Sequence, residues 1–564
     1  MILQPILDLV AICAAQGIRQ VVLSPGSRCA PLTLAFARHP EMEVRTISDE
    51  RSAAFIALGM AQQLKQPVVL VCTSGSAVLN YYPAIAEAFF QQIPLLVLTA
   101  DRPPEWVDQW DGQTIFQEEV YGKHVKKSFR FPDSFAHLDQ VRHAHRISNE
   151  AILLSQQFPA GPVHINLPLR EPFYPEEGET FNFPTHPPVV TLESPEIRLS
   201  DASLGKLKSE LASFQRILLV PGQQKESPAL LAVIERLVQN QQAVVVADSL
   251  SNMQGKGTIT LHDHWLGREE LQGELAPDLV ISFDKSIISK SLKLFLRKQD
   301  IPHWHIQPDG QAKDTYARLT RILGSEPLEF LTWLAAQLPT MQSGYAQRWQ
   351  QLEEQVATIL PKALEEAEFG EYRAVKQVLE ALPAAVQLHV ANSMAIRYVN
   401  FLGRRIQEIC CNRGTSGIDG SSSTAVGAAF VRTSLVTLIT GDMAFFYDRN
   451  AFWHNYPMSN LRVIVLNNHA GGIFRLIDGP ARQPELEEFF ETKQSLSAKS
   501  LASEYGFHYA SVTTSEELES ALLRFYEPSL QPKIIEITSS SPRNAEILKK
   551  IKGSISASFI KWRG

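Results

Sequence analysis

The stretch SLVTLITGDMAFFYDRNAFWHNYPMSNLRVIVLNNHAGG, residues 434–472, decides how the chain is read. Its apolar, β-branched run SLVTLIT stops at Gly441-Asp442, and a second run, LRVIVL, stops at Asn467-Asn468. A helical segment, roughly Asp448–Tyr456, lies between them. Strand, helix and strand in this order read as a right-handed crossover between parallel strands. Asp442 and Asn468, 26 residues apart, then both sit at the carboxyl ends of strands. That edge is where open α/β sheets hold ligands.

The residue types suit one kind of ligand. Mg²⁺ wants hard oxygens, usually one or two from side chains with phosphate oxygens completing the shell. Asp442 offers a carboxylate and Asn468 an amide oxygen. The loop His469-Ala470-Gly471-Gly472 can turn a backbone carbonyl inward, and Gly441 lets the backbone approach a phosphate closely.

Working outward, the same alternation covers the chain. QVVLSPGS (20–27), MEVRTIS (42–48), PVVLVCTSGS (67–76), IPLLVLTADRPPE (93–105) and GPVHINLPL (161–169) are strand candidates, separated by helical segments such as Ser52–Leu64 and Val78–Gln92. Residues 171–196 then turn Pro-rich and acidic, the composition of a linker. RILLVPG (216–222), AVVVADS (243–249), DLVISFD (278–284) and HWHIQ (303–307) form a second set. A boundary near LPTMQSG (338–344) precedes a polar helix, Gln347–Glu368. LHVANS (388–393), IQEICCNRG (406–414), the two runs of the opening stretch and PKIIEITS (532–539) make the third set. The expected fold class is α/β, with three consecutive parallel-sheet units at 1–180, 196–338 and 345–564. No short repeat or low-complexity tract interrupts them.

Composition excludes several function classes. The 564 residues carry a formal charge of −7, without the basic excess of a general nucleic-acid binder. Cys13, Cys29, Cys72, Cys410 and Cys411 form no C-x-x-C pair and read as reduced thiols of a cytoplasmic protein. The N-terminus, with Pro5 and Asp8 and no basic lead, reads as an amphipathic helix rather than a signal peptide. No apolar run is long enough for a membrane span. There is no H-E-x-x-H, G-x-S-x-G or P-loop.

Gly441-Asp442 with Asn467-Asn468 resembles the motif of thiamine-diphosphate enzymes, although Met443 stands where that family normally has Gly. Such enzymes need a carboxylate that protonates the aminopyrimidine ring from a mostly apolar pocket. Glu50, at the junction between VRTIS and the helix Ser52–Leu64, fits that place. The resemblance implies a pyrimidine-binding first unit, a middle unit and a diphosphate-binding third. It also implies thiamine diphosphate with Mg²⁺ or Mn²⁺, and a homodimer or homotetramer with active sites between subunits.

More of the chain narrows the likeness. SPGSR (24–28), ISDERSAAFIALGMA (47–61), LTADRPPE (98–105), NSMAIR (392–397), NRGTSGIDGSSSTAVG (412–427) and NNHAGGIF (467–474) are similar to the SEPHCHC synthase family of menaquinone and phylloquinone biosynthesis. SEPHCHC is 2-succinyl-5-enolpyruvyl-6-hydroxy-3-cyclohexene-1-carboxylate. The resemblance implies decarboxylation of 2-oxoglutarate and conjugate addition of the succinyl carbanion to isochorismate. Another 2-oxoacid decarboxylase or an acetolactate-type synthase is the alternative. Two acidic substrates call for cations, arginine above all, whose planar fork grips carboxylates.

By resemblance the substrate-facing residues are Ser27, Arg28, Arg102, Gln113, Lys290, Arg397, Arg413, Ile473 and Phe474. Glu50 is catalytic. Gly441, Asp442, Asn468, Ile418 and Ser393 bind the cofactor, and Ile418 holds thiamine bent. Asp442, Asn468 and the carbonyl of Ala470 hold the metal. Ser393 could instead cap the helix after it. Ile473 and Phe474 could be plain core residues. His469 and Ala470 replace the family's more usual Asn or Asp and Gly. The DKSIISK stretch around Lys290 departs from the family's Gly-x-Pro-x-Ser-Lys. VPGQQ (220–224) lacks G-x-G-x-x-G, so the middle unit is expected to hold no dinucleotide and to be structural apart from Lys290.

Overall fold

The computed structural model describes residues 4–193, 196–340 and 344–561. Pro195 of the Pro-rich linker and residues 341–343 of the second boundary lie outside them. Among the described residues three sheets form, of six, five and six strands, and every strand pair is parallel.

The first sheet contains β1 (Gln20–Leu23), β2 (Glu43–Thr46), β3 (Val68–Cys72), β4 (Leu95–Asp101), β5 (Ser128–Arg130) and β6 (Pro162–Pro168), in the order β2-β1-β3-β4-β6-β5. The middle sheet contains β7 (Ile217–Pro221), β8 (Val244–Val245), β9 (Leu279–Phe283), β10 (His303–Ile306) and β11 (Leu319–Leu323), in the order β11-β10-β9-β7-β8. The third contains β12 (Gln387–Val390), β13 (Ile409–Cys410), β14 (Val436–Gly441), β15 (Leu461–Asn467), β16 (His508–Val512) and β17 (Lys533–Thr538), in the order β13-β12-β14-β15-β17-β16. The first and third sheets therefore repeat one topology. In both, the order reverses beside the first strand, which opens a crevice at the carboxyl edge.

Continuous apolar runs make the central strands. β3, β4, β6 and β15 are buried at every position, as parallel strands covered on both faces must be. The edge strands β5, β11 and β16 bury one residue each, the rest being half-buried or exposed, and escape a search for apolar runs. The expected strand 406–414 shrinks to Ile409–Cys410, because its polar residues lie in loops. The expected amphipathic N-terminal helix is Gln4–Ala15, and every residue from Pro5 to Ala14 is buried. It is a core helix of the first unit rather than a surface one.

The expected helix 448–456 is also corrected. A helix starts directly at the strand end, Asp442–Tyr447, and a short 3-10 turn, Arg449–Phe452, follows. The first turn of helix thus begins on the strand-end acid, where an acidic side chain suits the helix dipole.

Two cores cross the units. One joins the middle and third sheets through the helix Tyr345–Glu365, whose Trp349, Leu352 and Val356 pack beside Trp265 and Leu388. The other joins first and third sheets through the helices Glu50–Leu64 and Ser421–Val431. They approach until backbone meets backbone: a Cβ on Gly59 would lie 2.1 Å from Thr424 O, and one on Gly427 2.0 Å from Ile56 O. Only glycine permits that spacing. It fixes the helix that begins with Glu50 against the unit that carries Asp442.

Candidate active site

The strand β14 ends at Gly441, and Asp442 opens the next helix, almost wholly buried. Its Oδ1 accepts from the Met443 amide at 2.8 Å and its Oδ2 from Gln494 Nε2 at 2.8 Å. Burial pushes its pKa up, so a nearby cation would relieve it. A Cβ on Gly441 would meet nothing within 4 Å, so the backbone there stands open.

One strand over, β15 delivers Asn467 and Asn468. Asn467 is a framework residue, donating to Leu496 O at 2.9 Å and Glu536 Oε1 at 2.7 Å. Asn468 Nδ2 donates to Glu371 Oε1 at 2.6 Å. Its other end, Oδ1, is buried and has no partner among the described residues. A buried orphan acceptor is costly unless something donates to it or it ligates a cation. Glu371 begins the helix Glu371–Glu380, is buried, and is pushed up to about 7 by that burial against the pull of the Asn468 bond. The chain then turns through His469 at φ +60, and the Ala470 carbonyl accepts from the Gly472 amide at 2.9 Å. Among the described residues no cluster of three or more His, Cys, Asp or Glu could hold a metal. One buried carboxylate beside one unpartnered amide oxygen is instead the hard, neutral-rich donor set that suits Mg²⁺ or Mn²⁺.

Ser393 follows the carboxyl end of β12, the strand next to β14. Its φ of +71 with ψ −129 is a strained conformation for a residue other than glycine. Its side chain caps nothing; its carbonyl accepts from Arg397 Nη1 at 2.6 Å. Next to it, Asn392 Nδ2 donates to Asn412 O at 2.5 Å and Gly417 O at 2.6 Å, which pins the loop before Ile418. Ile418 is 38% exposed, so it does not serve the core. Ile473 and Phe474, on the 3-10 turn Gly472–Leu476, are half-buried and likewise outside the fully buried core.

In the first unit Glu50 is the first residue of its helix, and Asp49 caps it by accepting from the Ser52 amide at 3.0 Å. Glu50 is half-buried and accepts from Asn80 Nδ2 at 3.3 Å. Two bonds tie this helix start to the third unit: Asn450 Nδ2 to Asp49 Oδ2 at 2.7 Å, and Arg51 Nη2 to Tyr447 O at 2.7 Å.

The expected substrate cations fall into two groups. Arg28, at the crevice of the first sheet, is buried, donates to Leu169 O at 2.7 Å and lies over the Phe173 ring. Burial and then the charge of Arg102 lower its pKa. Arg102 donates to Gly112 O at 2.6 Å and pairs with Asp111 at 3.3 Å. Ser27 and Gln113 are exposed nearby, Gln113 at φ +57. Lys290 and Arg397 line one cleft of about 350 Å³ between the middle and third units. Arg413 instead lines a second cleft, between the first and middle units, while its Nη1 donates to Asn392 Oδ1 at 3.1 Å. Burial, and then the charge of Arg413, lowers the pKa of Arg397. Among the described residues Arg28, Lys290, Arg397 and Arg413 form no ion pair within 4 Å.

Comparison with known families matches three regions. Residues 8–125 match the N-terminal thiamine pyrophosphate binding domain, 222–390 the middle domain and 392–537 the C-terminal thiamine pyrophosphate binding domain. A protein of Cytophaga hutchinsonii named 2-succinyl-5-enolpyruvyl-6-hydroxy-3-cyclohexene-1-carboxylate synthase is 47% identical, over 99% of this chain and all of its own length. Proteins of the same name from Christiangramia forsetii and Bacteroides fragilis are 37% identical over 96% of this chain and 97% of their own. The chain belongs to the SEPHCHC synthase family.

Within this SEPHCHC synthase family member, several residues of the site escaped the sequence reading. Glu371 and Gln494 hold the two strand-end ligand candidates from 97 and 52 residues away. Glu87, fully buried in the first unit, accepts from Gly414 N at 2.7 Å and from Thr415 N at 2.6 Å, and so holds the loop before Ile418. Lys293 lies close enough to Arg413 and Arg397 for their charges to add to the burial that lowers its pKa. No spacing rule signals these residues. Each is a polar residue on a helix or loop whose partner arrives from another unit or distant strand.

Proposed function

We propose that this chain is a thiamine-diphosphate- and Mg²⁺- or Mn²⁺-dependent transferase. It decarboxylates 2-oxoglutarate and joins the succinyl unit to isochorismate by conjugate addition, giving SEPHCHC and CO₂ for menaquinone or phylloquinone biosynthesis. The units are assigned as pyrimidine-binding (1–180), middle (196–338) and diphosphate-binding (345–564). Asp442, Asn468 Oδ1 and the Ala470 carbonyl take the metal, and open backbone at Gly441 receives the diphosphate. Thiamine diphosphate, when bound, supplies the nucleophilic carbon at which the oxo acid loses CO₂.

The chain's own groups do the rest. Glu50 exchanges a proton with the pyrimidine ring nitrogen. Ser393 and Ile418 bracket the cofactor, and Ile473 and Phe474 keep water from the reacting side. Arg28 and Arg102, with Ser27 and Gln113, take carboxylate from the first-unit side; Lys290, Arg397 and Arg413 take it from the other. The two cation groups lie on different units, which favours a site completed between subunits of a homodimer or homotetramer. The aromatic surface beside Arg102 (Trp106, Trp110 and Phe116, all exposed) is of the kind a second copy covers. The five thiols are unpaired and buried, which suits the cytoplasm. No helix among the described residues is long and apolar enough to cross a membrane.

The observation that carries this reading is Asn468 Oδ1, an unpartnered buried oxygen beside a buried carboxylate. The test is turnover with thiamine diphosphate and Mg²⁺, comparing 2-oxoglutarate plus isochorismate with pyruvate. SEPHCHC formation is expected; pyruvate turnover with inert 2-oxoglutarate contradicts the reading.

A further inference from the structure

The cleft that brings Lys290 and Arg397 together is assembled from three segments far apart in sequence. Lys290 opens the helix Lys290–Lys298 of the middle unit, Arg397 lies in the helix Met394–Phe401 of the third, and Lys552 reaches in from the C-terminal helix, its ammonium 4.5 Å from the Phe401 ring centroid. With Lys298, at the far end of the Lys290 helix, four like charges share the wall of one cleft, so something other than mutual attraction must hold their helices in place.

Asp263 stands at the junction. It sits in the short 3-10 turn His262–His264 and also lines the cleft. Its Oδ1 accepts from the Ser289 hydroxyl at 2.6 Å and from the Ser291 hydroxyl. Those serines flank Lys290 on both sides, and Ser289 is also the cap of the Lys290 helix, accepting from the Leu292 amide at 3.1 Å. The other oxygen, Oδ2, accepts from Asn400 Nδ2 at 2.8 Å. Asn400 is buried, lies one turn beyond Arg397 on the same helix, and its Oδ1 accepts from the Ser249 amide at 2.9 Å and hydroxyl at 3.1 Å. One carboxylate thus fastens the start of the Lys290 helix to the Arg397 helix.

Among the described residues Asp263 forms no ion pair within 4 Å with any cation of the cleft. All three of its strong contacts are to neutral donors, at the cap and first turn of one helix and within the other. Burial raises its pKa, but His262 and the two serine hydroxyls outweigh burial and leave the group below the usual carboxylate value. An ionised carboxylate is acceptor-only, which matches the three donors aimed at it.

We infer that Asp263 is the positioning residue that sets Lys290 and Arg397 at the spacing of a substrate carboxylate, so the middle unit shapes substrate binding as well as supporting the fold. The inference rests on the assignment of Lys290 and Arg397 as substrate cations.

The test uses the full-length holoenzyme with Mg²⁺ and thiamine diphosphate. Asp263→Asn keeps the shape and removes the charge, forcing one amide NH₂ against a donor. KM for one of the two dicarboxylate substrates is expected to rise about tenfold or more, with kcat and cofactor affinity changing by less than about threefold. Ser291→Ala removes a single surface-side hydroxyl and decides the matter if Asp263→Asn fails to fold; a smaller rise in the same KM is expected. Unchanged KM in the folded variants overturns the inference, as does a fall in kcat and cofactor affinity with no change in KM. Arg397→Ala serves as the reference. If it too leaves both KM values unmoved, the substrate-site assignment has failed. If it raises KM while Asp263→Asn and Ser291→Ala do not, the inference alone has failed.

Discussion

The two halves of the site are built differently. The cradle at Asp442 and Asn468 grows from one crossover, β14 to β15, and its donors are almost all satisfied: Gln494, Met443 and Glu371 fix it, and one oxygen is left over. The cation cleft grows from segments around residues 263, 290, 397 and 552; among the described residues Lys290, Arg397 and Lys552 pair with no acid within 4 Å, and Lys298 at its edge pairs with Glu269 at 3.9 Å. A cradle held by its neighbours, with one oxygen unpartnered among the described residues, suits a ligand that stays, such as a metal with its cofactor. A cleft whose four cations outnumber its one acid suits anions that come and go. Cradle variants should therefore move cofactor affinity and leave substrate KM alone, and cleft variants should do the reverse.

The largest effect is expected at Glu50, which belongs to neither. Glu50→Gln should lower kcat by about 10²–10⁴ with cofactor affinity retained, the range lost when a positioned proton-transfer group is removed. Near-normal kcat by steady-state assay would refute its role. Next comes Arg397→Ala. Loss of charge-assisted hydrogen bonds of about 1.5–3 kcal/mol corresponds to a KM rise of roughly ten- to a hundredfold for a dicarboxylate substrate. Unchanged Mg²⁺ dependence should accompany it; a shift in cofactor affinity instead would break the comparison. Glu371→Ala should weaken Mg²⁺-dependent cofactor binding by about 10–100-fold, the usual cost of losing a group that orients a metal ligand. A rise in substrate KM with unchanged Mg²⁺ affinity would place Glu371 on the wrong side of the division.

The last effect is on stability rather than turnover and belongs to the first and third sheets. His164 in β6 and His389 in β12 are buried, and burial lowers each from 6.5 to about 3. The unfolded chain therefore takes up protons first as pH falls. Stability is complete above 6.5 and declines as pH drops from there toward 3. Thermal melts from neutral pH down to about 4.5 should show a falling Tm; a flat profile would mean these rings are not held neutral.

The same contrast explains what could be read in advance. Gly441-Asp442 and Asn467-Asn468 were legible because one crossover places both at neighbouring strand ends, and strand ends announce themselves by where an apolar run stops. Glu50 was legible as a strand-to-helix junction. Asp263 and Asn400 were not, since they meet across 137 residues and two units. Glu371 follows a glycine at a helix start, an ordinary context whose meaning appears only when Asn468 is found against it. The strands β5, β11 and β16 were hidden by their exposure, because an edge strand needs fewer apolar residues. The helix after Gly441 was misplaced because the segment 442–447 carries no cap signal of its own; the strand end supplies its start.

The most direct measurement is a calorimetric titration of thiamine diphosphate into the full chain with and without Mg²⁺, repeated on Asp442→Ala. A saturable heat that needs Mg²⁺, and that Asp442→Ala weakens by about tenfold or more, is the expected result. No heat in the unmodified chain, or a titration indifferent to both Mg²⁺ and Asp442, would contradict the account.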